Sequence, residues 1–121
     1  MSTKQSDLSR LSSASFDQQV ALLRELFGFT RKEFGVILGV SEKTIQRWES
    51  GESSNPNQAS QNALQALKTM AESLGDLFEP DVIKVWVDRE NPALNGKRPR
   101  DFAKKPGGLF IMAHRLGAVG R

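Results

Sequence analysis

The chain has 121 residues, of which 38% are hydrophobic and 26% charged, and its formal net charge is +3; this composition is typical of one compact unit or two very small ones. It has no cysteine and a single histidine, His114, so disulfides, thiolate catalysis and a cysteine-built metal site are excluded, and neither a metal nor another cofactor is predicted. No apolar run approaches the length of a membrane span and the N-terminus lacks a signal-peptide core, so we expect no membrane partner and a cytoplasmic location.

The residues before the first helix, 1–15, are polar and rich in serine, which predicts a mobile lead-in. The next segment, 16–27, places Val20, Leu23 and Phe27 at helical spacing and is followed by a glycine. This pattern predicts an amphipathic helix with one buried face.

Residues 30–51 carry the densest local signals of the chain. Thr30 and Glu33 form a T-x-x-E capping box at a helix start. Ser41 is placed to cap a second helix. Gly39 lies between the two helices and can adopt the left-handed conformation that often ends a helix. An ordinary helical hairpin does not need this turn chemistry, so the sequence predicts a helix-turn-helix.

The second helix of this pair presents a polar, partly basic face. Val40, Ile45 and Trp48 fall at its core-facing positions, which leaves the remaining side chains pointing outward. Side chains of these types can read base edges in the major groove or contact phosphates. Double-stranded operator DNA is therefore a predicted partner, and the predicted DNA-binding residues are Ser41, Lys43, Thr44, Gln46 and Arg47.

A long helix is predicted next, with Asn55 as its cap, Pro56 at its first position and Gly75 at its end. It closes a helix-turn-helix unit over residues 16–75. A different section, 76–121, follows.

This second section is also predicted to be helical. A helix opens at Pro80 and runs to about residue 90, although the β-branched residues within 82–87 leave a strand as the alternative. Shorter helices are predicted over 99–104 and 106–116. All predicted elements are therefore helices, and the fold class is all-α.

Two motifs resemble known families. The I-x-x-W-E-x-G spacing that ends at Gly51 resembles the Xre-type, lambda-repressor-like helix-turn-helix family. The segment Trp86–Phe102, WVDRENPALNGKRPRDF, is similar to the toxin-binding C-terminal domain of the Xre/MbcA/ParS antitoxins, whose pattern is roughly W-x-x-x-x-N-P-A-L-x-G-[KR]-x-P. That family more often has two glycines where this chain has Asn95-Gly96, a pair that still supplies a turn. The resemblance implies a helix-turn-helix bundle followed by a small helical toxin-binding domain.

The resemblance further implies an antitoxin of a type II toxin–antitoxin pair that represses its own operon, as a homodimer or a toxin-bridged hetero-oligomer. Its implied partner is a cognate toxin with a RES or ADP-ribosyltransferase-like fold that uses NAD. Residues 91–121 hold seven basic and one acidic side chain, and a cleft for an anionic dinucleotide can accept cations through its acidic residues. The predicted toxin-binding residues are Trp86, Lys97, Arg98, Arg100, Lys105, Arg115 and Arg121. A solvated basic surface, or one that contacts DNA phosphates, is the alternative for each cation.

Two other functions remain as alternatives. A stand-alone helix-turn-helix regulator could use its C-terminal section for dimerisation alone. Enzymatic activity is disfavoured, because the chain has no cysteine, no tyrosine, one histidine and no glycine-rich phosphate loop after a strand. No catalytic residue is predicted.

Overall fold

The computed structural model describes residue 11, residues 13–52 and residues 55–117, with the backbone alone for residues 116 and 117. Within these residues the chain forms seven α-helices, one 3-10 helix and no strand, which confirms the all-α prediction. The α-helices in chain order are α1 (Phe16–Phe27), α2 (Arg31–Leu38), α3 (Glu42–Glu49), α4 (Gln58–Gly75), α5 (Pro80–Trp86), α6 (Pro99–Ala103) and α7 (Gly108–Gly117), and the 3-10 helix spans Pro92–Leu94. None of the helices in the described part of the chain is both long and apolar enough to cross a membrane.

The caps of α2 and α3 form as the sequence predicts. The Thr30 hydroxyl accepts the backbone N–H of Glu33 at 3.0 Å, and the Glu33 carboxylate accepts the backbone N–H of Thr30 at 3.0 Å. Helix α2 is followed by its C-cap Gly39, whose φ of 77° is left-handed. The Ser41 hydroxyl then accepts the backbone N–H of Thr44 at 3.0 Å. These bonds satisfy backbone donors that a helix start otherwise leaves without a partner, so the turn is fixed locally.

Gly35 determines how closely α2 approaches this turn. A Cβ atom added at Gly35 would lie 2.6 Å from the Val40 carbonyl oxygen and 3.2 Å from the Ser41 carbonyl carbon. Both are backbone atoms, so the turn itself would have to move.

We expect Gly35→Ala to lower the free energy of unfolding by about 1–3 kcal/mol, the usual cost of overpacking. This is opposite in sign to the preference of an unhindered helix, where alanine is favoured by about 1 kcal/mol. Urea denaturation of both proteins measures the difference. An unchanged or higher midpoint would show that the turn moves freely.

Helix α4 begins two residues later than predicted. Asn57, and not Asn55, is its cap: the Asn57 side-chain oxygen accepts the backbone N–H of Ser60 at 2.8 Å. This start places Ser60 beside the end of α2, where its buried hydroxyl donates to the Leu38 carbonyl at 2.9 Å. The Leu38 carbonyl is at the end of α2, where carbonyls have no partner within the helix. Because Ser60 supplies that partner only when α4 begins after Asn57, the contact between α2 and α4 selects Asn57 as the cap.

The end of the predicted lead-in is packed. Leu11 is buried in the core, and the Gln19 side-chain amide donates to the carbonyl oxygens of Leu11 and Ala14. The packed unit therefore includes residue 11, whereas residues 1–10 and 12 lie outside the described residues.

The C-terminal section, α5 to α7, shares one hydrophobic core with the helix-turn-helix unit, α1 to α4. Helix α5 forms in preference to a strand but ends at Trp86, earlier than predicted, and α7 begins at Gly108 instead of residue 106. Leu94 in the 3-10 helix is fully buried, and the turn after it has φ values of 59° and 79° at Asn95 and Gly96. Helix α7 packs along α4, so the two sections form a continuous structure.

Candidate DNA-binding and partner-binding sites

Helix α3 presents an outward polar face. Its inward residues Ile45 and Trp48 are 0% and 3% exposed, and Lys43, Gln46 and Arg47 are exposed. Gln46 and Arg47 lie three and four positions after Lys43, so both are on the same side of the helix as Lys43. We call Lys43, Gln46 and Arg47 the reading face.

The other two predicted DNA-binding residues lie at the start of α3 and take part in its cap. Ser41 is exposed and Thr44 is half-buried, and their hydroxyls are 2.9 Å apart. They lie where backbone N–H groups at a helix N-terminus favour an anion such as phosphate. A phosphate contact at this end would complement the reading face.

Glu49 holds the other end of α3 in place. Its carboxylate accepts hydrogen bonds from Arg24 Nε at 2.5 Å and Arg24 Nη2 at 3.1 Å, and from Arg31 Nε at 3.0 Å. The Glu49 side chain is only 7% exposed. Arg24 also donates to the Phe29 carbonyl at 3.2 Å. This cluster ties α3 to α1 and to the start of α2. Glu49 is the glutamate of the I-x-x-W-E-x-G motif, but the sequence alone predicts no role for it.

Arg100 joins the C-terminal section to the helix-turn-helix unit. Its guanidinium lies 2.6 Å from both the Glu33 and the Asp88 carboxylates and donates to the Gly28 carbonyl at 3.2 Å. It also lies 5.6 Å from the centre of the Phe29 ring, within cation–π range. The side chain is 16% exposed. Arg100 is also one of the residues predicted to contact a toxin, and in the structure its guanidinium has partners within the chain.

The carboxylates of this region are charged at neutral pH. Burial raises the pKa of Glu33, but the Thr30 backbone N–H and the Lys104 and Arg100 cations outweigh it and hold that pKa below its ordinary value. The hydrogen bond from Arg100 likewise lowers the pKa of Asp88. Folding therefore stabilises the ionised form of each group.

The remaining predicted toxin-binding residues are spread over the C-terminal section. Arg98 bonds both oxygens of Asp101, at 2.8 and 3.0 Å, and the hydrogen bond from Arg98 lowers the pKa of Asp101. The exposed Arg115 donates to the Ala93 carbonyl at 2.8 Å. Trp86 is half-buried against the core. Arg121 lies outside the described residues.

Lys97 and Lys105 are exposed neighbours at this surface. Neither has a carboxylate within 4.0 Å among the described residues. The Lys105 ammonium lies 5.7 Å from the centre of the Phe102 ring. Local desolvation and the adjacent Lys97 cation lower the pKa of Lys105. Both cations are available for an acidic partner.

The fold and the α3 site define a helix-turn-helix protein, and residues 20–60 match the helix-turn-helix family HTH_3. The chain is 28% identical over 80 residues to the mycobacterial cidal antitoxin MbcA of Mycobacterium bovis and of Mycobacterium tuberculosis, an alignment that covers 66% of this chain and 70% of each relative. It also shares the fold of a chain in the crystal structure of the M. tuberculosis MbcT–MbcA toxin–antitoxin complex, with a TM-score of 0.60 and 24% identity over 84% of this chain and 91% of that one. The predicted resemblance to the MbcA-type antitoxins is confirmed.

Proposed function

We propose that this chain is the antitoxin of a type II toxin–antitoxin pair, which neutralises its toxin through the C-terminal section and represses its own operon through α3. The observation that carries the proposal is the presence, on one packed chain that is 28% identical to MbcA over 80 residues, of an exposed reading face and of the segment Trp86–Phe102, which resembles the toxin-binding domain of those antitoxins. The proposed role is binding, without catalysis.

For DNA, the reading face would enter the major groove and Ser41 and Thr44 would contact phosphates at its edge. A homodimer or a toxin-bridged assembly would place two such helices about 34–36 Å apart, one turn of DNA. The helix-turn-helix unit, residues 16–75, has six basic and seven acidic residues, so its net charge adds no affinity for DNA phosphates. Two sites bound together would supply the affinity that one site lacks.

For the toxin, the proposed class is a RES or ADP-ribosyltransferase-like protein that uses NAD. Support comes from the motif in Trp86–Phe102 and from the charges beside it. Lys97 and Lys105 carry cations without an acidic partner among the described residues, and a cleft that handles an anionic dinucleotide offers acidic groups at its reacting centre or rim. Arg98 and Arg115 lie on the same section and would extend this contact.

Arg47→Ala tests whether the two activities are separate. We expect it to weaken binding to the DNA upstream of the chain's own reading frame by about 10-fold or more, since one Arg contact to a base is worth about 1–3 kcal/mol. Fluorescence anisotropy at fixed salt measures this. Protection of cells that express the neighbouring reading frame should be unchanged. The matched control is Arg89→Ala, an exposed arginine outside α3, which should bind DNA normally.

Co-expression with the product of the neighbouring reading frame tests the antitoxin role itself. A stoichiometric complex, together with restored growth, is the expected result. DNA binding without a complex or any protection would contradict the proposal and favour a stand-alone regulator whose C-terminal section dimerises.

A further inference from the structure

A groove of about 290 Å³ lies between the helix-turn-helix unit and the C-terminal section. The end of α2 and the first turns of α4 form one wall, and the segment from the end of α6 into α7 forms the other. Its apolar lining consists mainly of Val36, Ile37, Ala59, Ala63, Leu109 and Phe110. We call this the inter-section groove.

Both walls expose large apolar side chains. Val36 on α2 is 55% exposed and Phe110 on α7 is 49% exposed, and Ile111 follows Phe110 at 42%. Helix α7 already buries Leu109 and Met112 in the core, so Phe110 and Ile111 are not needed to hold it in place. Apolar side chains clustered on a surface in this way mark an interaction site.

The groove is basic at its rim. Lys104 and Lys105 line it, and among the residues that the structure describes no aspartate or glutamate does. Lys104 is bonded to Glu33 at 3.3 Å, whereas Lys105 forms no ion pair within 4.0 Å among the described residues, stands beside Lys97 and is attracted by Asp101 only at longer range. An apolar slot beside a cation that forms no ion pair is complementary to an apolar side chain flanked by carboxylates.

From these features we propose that the inter-section groove is a docking site for the cognate toxin, which inserts a large apolar side chain there and places carboxylates against Lys105. This inference rests on the proposed function and identifies a contact surface for it. Because Val36 belongs to α2, the docked toxin would touch the helix-turn-helix unit as well as the C-terminal section.

The test measures the affinity of the full chain for the product of the neighbouring reading frame by isothermal titration calorimetry. We expect Phe110→Ser to weaken binding by about 10-fold or more, as for a central anchor residue, and Val36→Ser, on the opposite wall, to weaken it as well. Lys105→Glu should lower affinity by about 5-fold or more and slow association. All three positions are exposed, so the thermal midpoint of each variant should remain that of the wild type.

Matched controls are Val85→Ser and Lys84→Glu on α5, both exposed and away from the groove, which should bind within about twofold of wild type. Unchanged affinity of the Phe110 and Val36 variants would overturn this inference and leave the proposed function standing. No complex with the wild-type chain would overturn both. A change from dimer to monomer in Phe110→Ser, measured without toxin by light scattering, would assign the groove to a second copy and also overturn the inference.

Discussion

Glu49→Ala is expected to lower the free energy of unfolding by about 3 kcal/mol, because removing one partner of a buried ion pair leaves the other charge without compensation. The Glu49 carboxylate receives three hydrogen bonds from two arginines. Arg24, only 18% exposed, would keep its charge and lose its acceptor. Chemical denaturation at neutral pH measures the loss, and operator affinity should fall with it because α3 loses its anchor to α1.

The control for Glu49→Ala is Glu52→Ala, which removes an exposed carboxylate three residues further along and should change stability by less than about 0.5 kcal/mol. A second variant isolates the cause. Combining Glu49→Ala with Arg24→Met should recover part of the lost stability, since it removes the orphaned charge while retaining an apolar stem. A double variant that is no more stable than Glu49→Ala alone would contradict this explanation.

Elements whose signals are local could be predicted from the sequence. The caps at Thr30 and Ser41 and the left-handed Gly39 each depend on residues three or four positions apart, and all three formed as expected. The turn at Asn95-Gly96 is of the same kind. In each case the backbone groups to be satisfied lie within the segment that supplies the cap.

Features that depend on distant contacts could not be predicted. Pro56 favours Asn55 as the cap by sequence, whereas the helix begins after Asn57, where Ser60 can bond the Leu38 carbonyl 22 residues away. The partners of Glu49 lie 25 and 18 residues away, and Arg100 meets Glu33 across 67 residues. The sequence shows that Arg100 is basic, but the carboxylates that neutralise it are determined by the tertiary fold, since Asp88 and Glu33 lie 12 and 67 residues away.

Arg100→Met should be the second most damaging change, with a loss of about 2–3 kcal/mol at neutral pH, because hydrogen bonds to charged groups are worth about 1.5–3 kcal/mol each. The methionine stem can still pack near Phe29 while the bonds to Glu33, Asp88 and the Gly28 carbonyl disappear. Arg89→Met, an exposed arginine in the same section, is the matched control and should be nearly neutral.

The pH dependence of this loss identifies its cause. Arg100 lowers the pKa values of Glu33 and Asp88 in the folded protein, so its contribution is complete above their unfolded pKa values, about 4, and declines as pH falls through the folded values. The stability difference between wild type and Arg100→Met should therefore shrink from about pH 5 to pH 3. Urea denaturation across this range measures it. A difference that stays constant would assign the loss to the contacts of the Arg100 guanidinium with the Gly28 carbonyl and the Phe29 ring, which do not titrate.

Arg100→Lys separates charge from geometry. A lysine ammonium restores the positive charge but presents no planar fork, so it cannot reach Glu33 and Asp88 together as the guanidinium does. We expect it to recover less than half of the stability lost in Arg100→Met. Glu33 also caps α2. Incomplete recovery would therefore mean that the C-terminal section supports the start of α2 because the Arg100 guanidinium bridges the Glu33 and Asp88 carboxylates. Full recovery would mean that any cation at position 100 suffices.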